Sequence, residues 1–407
     1  MSALGTPVVV DFFSRYFAGF YDEKNFINTP TAGQAFFGRP ENGAYTIFSP
    51  NSTDVDLDIV RGNLKTAKMI FRGMAGRVTG TTHADLQVGA GTTFSRKFPL
   101  IEEQTNIGAA QLNSRLPGEG PYEGIDKATR LRELARRGYL ENVRRVIRTN
   151  EVLTWQSLLL GVQSAGSLTD TSVNIYDFRR NSANTPSLTH GWGNAAGVPM
   201  TDIDSLCDTI LFNGKLMPDF AIFGGTAMRY FMANQQVSTN FGNKLYFDLM
   251  QFGMDFVAEP KFARLVAAGL IPYGRLRTPK GFSLTIFTYP HFYALDAGTA
   301  TKFFDDTKVL IGASNARADR YFGPGERIDP TSQDMQRMME RFGFNPIMPP
   351  MPQNIMGADQ TVLPQSFYVD SYEGDQGKSI TIRTQSAPIF VTTQTDCFGA
   401  MAAGVTS

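Results

Sequence analysis

Cysteine and histidine are scarce, two and three in 407 residues, and charge of either sign is in no excess: Lys plus Arg and Asp plus Glu are 38 each. Cys207 and Cys397 stand 190 positions apart without a CxxC partner, which argues against a disulfide framework and for reduced thiols and cytoplasmic synthesis. His83, His190 and His291 are each alone, a pattern of structural or surface histidines rather than of a metal centre or a base. Zero formal charge gives no long-range attraction to phosphate and little repulsion between copies. No apolar run reaches membrane-spanning length, and Asp11 interrupts the short apolar start, so neither a span nor a secretory leader is expected.

Catalytic signatures are missing as well. The chain has no HExxH, CxxC pair, GxSxG elbow, Walker loop or GxGxxG fingerprint. The Gly-rich "FGGTAMR" (223–229) could aim helix amides at an anion, but a tight strand-to-helix turn is the simpler reading, because the Lys and Ser/Thr of a phosphate cradle are absent. Asp305 and Asp306 in "FFDDTK" read as a turn before the strand "KVLIGA" rather than as an acid pair. Cys207, among Leu206, Ile210 and Leu211, reads as a small buried hydrophobe. No enzyme, cofactor or metal is predicted.

What is abundant is Gly (39), Pro (22) and Phe (32), suited to irregular segments pinned by aromatic anchors. Residues 1–66 carry turn signals and read as an extended arm. Residues 68–100 read as a long two-stranded excursion, marginal alone and in need of a surface to lie on. The longest helix candidate spans 123–161, between "PGEGPYEG" and "GVQSAGS". Within it "TRLRELARRGYLENVRRVIRT" packs seven arginines. Helical spacing puts Arg130, Arg137, Arg144 and Arg148 on one stripe, and Ala128, Leu131, Ala135, Val143, Val146 and Leu153 on the other side. Glu133 and Glu141 lie three or four positions from arginines and offset part of the charge. Three readings stay open: a self-paired solvated face, a nucleic-acid strip, or a subunit contact in which the planar guanidinium meets carboxylates. Downstream, "SVNIYDFRR" reads as a strand, 181–198 as a polar loop, and 201 onward as an α/β unit. That unit comprises the helix "TDIDSLCDTILFNG" capped near Thr201 or Asp202, the buried strand "MPDFAIFGG", the helix "TAMRYFMANQQV" and two strands about a Thr-Pro-Lys-Gly turn. The Pro/Met-rich 344–365 segment reads as a connector, and "KSITIRTQSAPIFVTTQTD" as two strands broken at Ala-Pro.

Several of these stretches, in order along the chain, resemble one family. "TKFFDDTKVLIGASNARADRYFG" followed by "SITIRTQSAPIFV" is similar to the tail of the phage major capsid protein E family. "DIDSLCDTILFNGKLMPDFAIFGGTAMRYFMAN", "TTFSRKFPLIEE" and "STDVDLDIVRGNLKTAKMI" resemble its axial helix–strand–helix, the return limb of its extended loop and its N-terminal arm. The similarity covers about residues 46–395, collinear throughout, although the first 45 residues are longer than the family pattern and 345–365 looks like an insertion.

The resemblance implies an α+β Hong Kong 97-type capsid fold. Its divisions would be an N-terminal arm (1–66), an extended β loop (67–118), a peripheral domain (119–200) with a spine helix at 123–161, an axial domain (201–345), and a connector with C-terminal strands (346–407). It implies a virion shell of hexamers and pentamers around double-stranded DNA, held non-specifically, with portal and scaffolding proteins and a trimeric decoration protein as partners and no membrane. Arg130, Arg137, Arg144, Arg148, Glu133 and Glu141 would then be inter-subunit contacts. Gly73, Gly76, Gly80, Gly118, Gly120 and Gly124 would be hinges for procapsid expansion. The alternatives are an encapsulin-like compartment and a nucleic-acid-binding factor.

Overall fold

The computed structural model describes residues 30–49, 54–60, 91–114, 127–164, 175–237, 260–294, 298, 300–324, 367–374 and 379–403. His83 and all six hinge glycines lie outside the described residues.

Strand β1 (Thr46–Phe48) follows a short 3-10 turn at Gln34–Phe36, and β2 (Asp54–Val60) pairs antiparallel with β3 (Gly91–Lys97). In β2 the order Asp-Val-Asp-Leu-Asp-Ile puts acids outward and Val55, Leu57 and Ile59 inward, as the period-two geometry of a strand requires. Two differences from the sequence reading follow. Asp54–Val60, read as arm, is one limb of the two-stranded ribbon. Residues 30–48 do not extend away: Phe36, Phe37 and Arg39 are buried in the body. The likeness of "FFGRP" to loop punctuation hid its anchoring, because burial of two phenylalanines outweighs local turn preference.

β4 (Ile101–Gly108) and a short helix α1 (Ala109–Asn113) lead to the long helix α2 (Lys127–Leu160), 34 residues against the expected 123–161. Its first half covers an antiparallel sheet ordered β14 (Tyr368–Gly374), β15 (Ser379–Ser386), β4. Leu131, Ala135, Tyr139, Val143 and Val146 meet Ile107, Ile380 and Ile382 there. β4, which the sequence reading takes into the extended loop, is thus the edge of the sheet beneath the helix. Gly138 permits the close approach, since a Cβ there would sit 2.9 Å from Thr105 Cγ2. One turn on, the buried Asn142 accepts from Thr105 Oγ1 (2.7 Å) and donates to the Ile382 carbonyl (3.2 Å).

The second half of α2 enters the main core with Val152, Leu153, Trp155, Leu158 and Leu159. It stops at Gly161, whose φ of +70° suits glycine. Arg180, just after β6 (Ile175–Asp177, paired with β5, Val162–Ser164), reaches back to the last turn. Its Nη1 and Nη2 donate to the carbonyls of Leu159 and Ser157, both at 3.0 Å. A cation on the negative end of so long a helix is favourable even though burial pushes Arg180 down to about 10. Arg180→Ala should cost about 2 kcal/mol in urea unfolding; an unchanged midpoint would show the cap to be unimportant.

Helices α3 (Pro199–Gly214) and α4 (Gly225–Ala233) flank β7 (Phe220–Phe223), and α5 (Pro260–Ala267) precedes β8 (Ile271–Arg277) and β9 (Ser283–Thr288). Strands β10 (Phe292–Ala294) and β11 (Ala300–Lys302) form a small hairpin. β12 (Lys308–Gly312), β13 (Asp319–Phe322), β16 (Pro388–Val391) and β17 (Phe398–Ala402) complete the described chain. The central sheet runs β17-β12-β7-β9-β8, with β7 and β9 parallel and the other neighbours antiparallel.

Alternation along these strands feeds two cores. Phe220, Ile222, Phe287, Leu310 and Phe398 face α2 and residues 32–37. Ala221, Phe223, Ile286, Val309 and Ile311 face α3, α4 and Trp192. β7 is therefore buried on both faces, which explains its unbroken apolar run. A third sheet, β1-β13-β16, packs with β2 through Leu57, Ile59, Tyr321, Ile389 and Val391. The break between β15 and β16 falls at Ala387, where the Ala-Pro pair placed it.

Candidate assembly surface and internal anchors

The arginine stripe lies on the side of α2 opposite the sheet, and its side chains are 37–50 % exposed where they form ion pairs. Glu133 is a local collector: Arg136 Nε reaches it at 3.0 Å and Arg137 Nε at 2.8 Å. The Arg136 hydrogen bonds, aided by those of Arg137, hold the Glu133 carboxyl below its ordinary range. Glu141 gathers Arg144 (3.8 Å), Arg145 (3.7 Å) and Arg148 (3.4 Å), and Arg145 also reaches Glu103 on β4 at 3.4 Å. Arg130 turns the other way along the helix and donates to the Leu112 carbonyl at the end of α1 (2.8 Å). Exposed pairs of this kind contribute about 0–1 kcal/mol each, so the stripe is not what holds the helix in place. It is a charged band that presents guanidinium groups to whatever lies against it.

The chemistry-bearing motifs turn inward on each other. The amides that open α4 do face an anion, but it is the chain's own: Asp306 Oδ1 accepts from Gly225 N at 3.1 Å, and its backbone carbonyl accepts from Ala227 N at 2.9 Å. Lys302 closes the group by pairing with Asp306 (2.6 Å to Oδ1). Asp305 caps the turn before β12 by accepting from Thr307 N and Oγ1 at 2.9 and 2.8 Å. Two separate sequence features, "FGGTA" and "DD", are thus one joint. Gly224 is obligatory there because a Cβ would fall 2.4 Å from the Asp305 carbonyl oxygen.

Cys207 is fully buried and burial pushes its thiol up; Cys397 is raised to about 12 for the same reason. His190 is exposed, and His291 stands edge-on to Tyr289 at 4.9 Å. Among the described residues no group of His, Cys, Asp or Glu could hold a metal, and no helix is long and apolar enough to cross a membrane.

One residue escaped the sequence reading. Glu151, in the second half of α2, is fully buried, and among the described residues no cation pairs with it. Its Oε1 accepts from Gly33 N (2.6 Å), Trp155 Nε1 (2.8 Å) and Tyr289 Oη (2.8 Å), and its Oε2 from Gln34 N (3.2 Å) and Gln34 Nε2 (3.4 Å). Burial, only partly offset by these donors, raises its carboxyl to about 7. The available signal was a lone acid opening the apolar run "EVLTWQSLLL".

The central β-layer with helices on either side, the long helix over a three-stranded sheet and the two-stranded ribbon have relatives. The chain aligns with a prophage protein of E. coli CFT073, provisionally described as a capsid protein, at a TM-score of 0.58 and 15 % identity over 99 % of both chains. A phage-related protein of Bordetella bronchiseptica RB50 aligns at 0.48 and 9 % identity over 99 % of this chain and 100 % of that one. A chain of Mycobacterium phage Che8 aligns at 0.38 and 8 % over 91 % and 90 %. Among curated protein sequences there is no match. Residues 49–341, well over half of the chain, match the family model described as phage major capsid protein E. With a Hong Kong 97-type fold and that match, the chain belongs to the phage major capsid protein E family.

Proposed function

We propose that this phage capsid protein closes, as hexamers and pentamers, into an icosahedral shell around double-stranded DNA, by way of a scaffolded procapsid that expands. The observation that carries the reading is the family match over 49–341. Supporting it, the described chain offers joints and faces rather than a reaction centre: its glycine-rich turn and paired acids satisfy one another. A shell subunit needs complementary edges, and many individually weak contacts become strong through their number. The encapsulin-like alternative is not favoured, because the family matched is a phage one. A DNA-gripping factor is disfavoured by zero net charge and by the local pairing of the α2 arginines.

Within this reading assembly takes place in the host cytoplasm, a portal and scaffold direct it, and a trimeric decoration protein is accommodated outside. The divisions are an arm (1–66) of which 30–48 are tucked into the body, an extended loop (67–118) whose ribbon takes in Asp54–Val60 and whose Ile101–Gly108 strand lies under α2, a peripheral domain (119–200), an axial domain (201–345) and returning strands (346–407). Gly73, Gly76, Gly80, Gly118, Gly120 and Gly124 act as hinges of expansion. The exposed stripe of Arg130, Arg137, Arg144 and Arg148, with Glu133 and Glu141, meets neighbouring copies.

Electron microscopy of the protein expressed with and without its scaffold tests the main claim: closed shells support it, and persistent monomers or dimers under all conditions reject it. The stripe is tested by Arg144→Glu with Arg148→Glu. Subunit stability should fall by no more than about 2 kcal/mol, since the two lost pairs are exposed, whereas shell yield should collapse. Wild-type yield from that variant would leave the stripe as a merely solvated face.

A further inference from the structure

Away from the α2 stripe, Arg39 and Arg320 lie close together where residues 38–46 meet β13, and the charge of a third arginine, Arg264 on α5, reaches both. Arg39 is 3 % exposed; its Nε donates to the Ala35 carbonyl at 2.8 Å and its Nη1 is 3.5 Å from the Ser314 carbonyl. Its Nη2 is buried with no hydrogen-bond partner. The guanidinium lies 5.3 Å from the centroid of the Phe36 ring. Arg320, half-buried on β13, donates through Nε to Thr46 Oγ1 at 2.6 Å. It lies tight against the residue preceding Arg39, since a Cβ on Gly38 would meet Arg320 Nε at 2.7 Å. Arg264 is exposed in the last turn of α5, a helix that packs Phe262 and Leu265 into the same core as Phe36.

Among the described residues no carboxylate forms an ion pair with any of the three. The acids whose charge reaches Arg39 are Glu41 and Asp219; Asp219 is already engaged by Ser314 N (2.7 Å), Ser314 Oγ (2.5 Å) and Lys261 (2.8 Å). Burial first, and then the positive charge of Arg264, push both Arg39 and Arg320 down to about 10; for Arg39 the charges of Glu41 and Asp219 only partly offset this. A buried donor left unmet costs about 1–3 kcal/mol, so such an arrangement is unfavourable in the isolated subunit. Beside it, β1 is the outer strand of its sheet among the described residues, and Ile47 on it and Tyr45 just before it are 37 % and 56 % exposed. Tyrosine and arginine at an open strand edge are what protein interfaces are enriched in.

The structure assigns Arg264 and Arg320, backed by the buried Arg39 and flanked by the outer edge of β1, as a carboxylate-accepting socket that an Asp or Glu of a second copy of this chain fills on assembly. The occupant follows from chemistry: planar guanidinium groups pair carboxylates in forked geometry, and a neutral chain with as many acids as bases meets its own copies at high density in a shell. The inference rests on the shell reading above and is distinct from the α2 stripe, which pairs its own glutamates.

Two measurements test it. A density map of wild-type shells should place a carboxylate of an adjacent copy within about 4 Å of Arg264 or Arg320. In parallel, Arg264→Gln and Arg320→Gln should each lower shell yield about tenfold, equivalent to 1.4 kcal/mol per contact, while the unassembled Arg264→Gln subunit, which among the described residues loses no internal hydrogen bond that holds the fold, melts as wild type does. Shells in which these arginines face solvent, an ordered free anion or DNA phosphate would overturn the socket while leaving the capsid reading intact, as would full yield from both variants. Failure of the wild-type chain to make shells at all would reject the capsid reading, and the socket with it.

Discussion

Removing the carboxylate of Glu151 should destabilise the subunit by about 4 kcal/mol, among the largest effects of any single substitution in this chain. Glu151→Ala leaves the amides of Gly33 and Gln34, the indole of Trp155 and the hydroxyl of Tyr289 without their shared acceptor in a water-free core. It also cuts a polar joint that ties residues 33–34, helix α2 and Tyr289, just after β9, together. Glu151→Gln keeps an acceptor for the three donors on Oε1 but sets an amide against Gln34, so about 1–3 kcal/mol is expected. The pH dependence separates the two roles of the group. With its carboxyl raised from 4.5 to about 7 in the folded chain, the native state holds a proton that the unfolded state has released between those values. Its contribution is therefore complete below about pH 4.5, declines as pH rises through the window, and is gone above about 7, an overall change of about 3 kcal/mol. Tyr289, itself pushed up by burial and by Glu151, stays protonated throughout and does not blur the profile. The same urea titrations on Glu151→Gln should lack this component; an identical pH profile in wild type and variant would show that the carboxyl is not the titrating group.

Trp192→Ala should cost about 3–5 kcal/mol, the usual range for emptying a buried indole site. The ring packs against Phe223 and Phe231 at 5.9 and 5.7 Å, and its Nε1 donates to Asp202 at 2.9 Å. Burial raises the Asp202 carboxyl, and removal of the indole takes away the hydrogen bond that offsets this. Trp192→Phe retains most of the apolar contact and should cost about half as much. A drop in urea midpoint without a change in slope would identify a packing loss; a midpoint within experimental error of wild type would mean that the 181–198 segment is not anchored through this ring.

These two sites also mark where sequence reading stopped. The amphipathic pattern of "RLRELARRGYLENVRRVI" shows a long two-faced helix, and the alternation in "DVDLDIV" and "FAIF" shows strands, because period alone decides which residues share a face. The collinear family resemblance then reaches the fold class and the capsid reading, which the family match over 49–341 supports. By contrast, the loop at 181–198 looks polar until Trp192 is seen filling the core on one side of the central sheet. Likewise 30–48 looks like a free arm until Phe36 and Phe37 are seen filling the core on the other. Glu151, Arg39 and Arg320 look like ordinary helix and strand charges, since nothing local announces a buried ionisable group.

What the sequence by itself determined is the set of elements, their two-faced character and the family to which they belong, because these follow from short-range periodicity and order along the chain. The tertiary structure alone decided which distant groups share a carboxylate or lack one. Gly33 and Tyr289 meet at Glu151, Asp306 satisfies the Gly225 turn, and Arg39 and Arg320 come together without an ion pair to any acid among the described residues. The physical reason is that desolvation and hydrogen-bond satisfaction depend on three-dimensional proximity, and partners more than a hundred positions apart leave no mark in any local window.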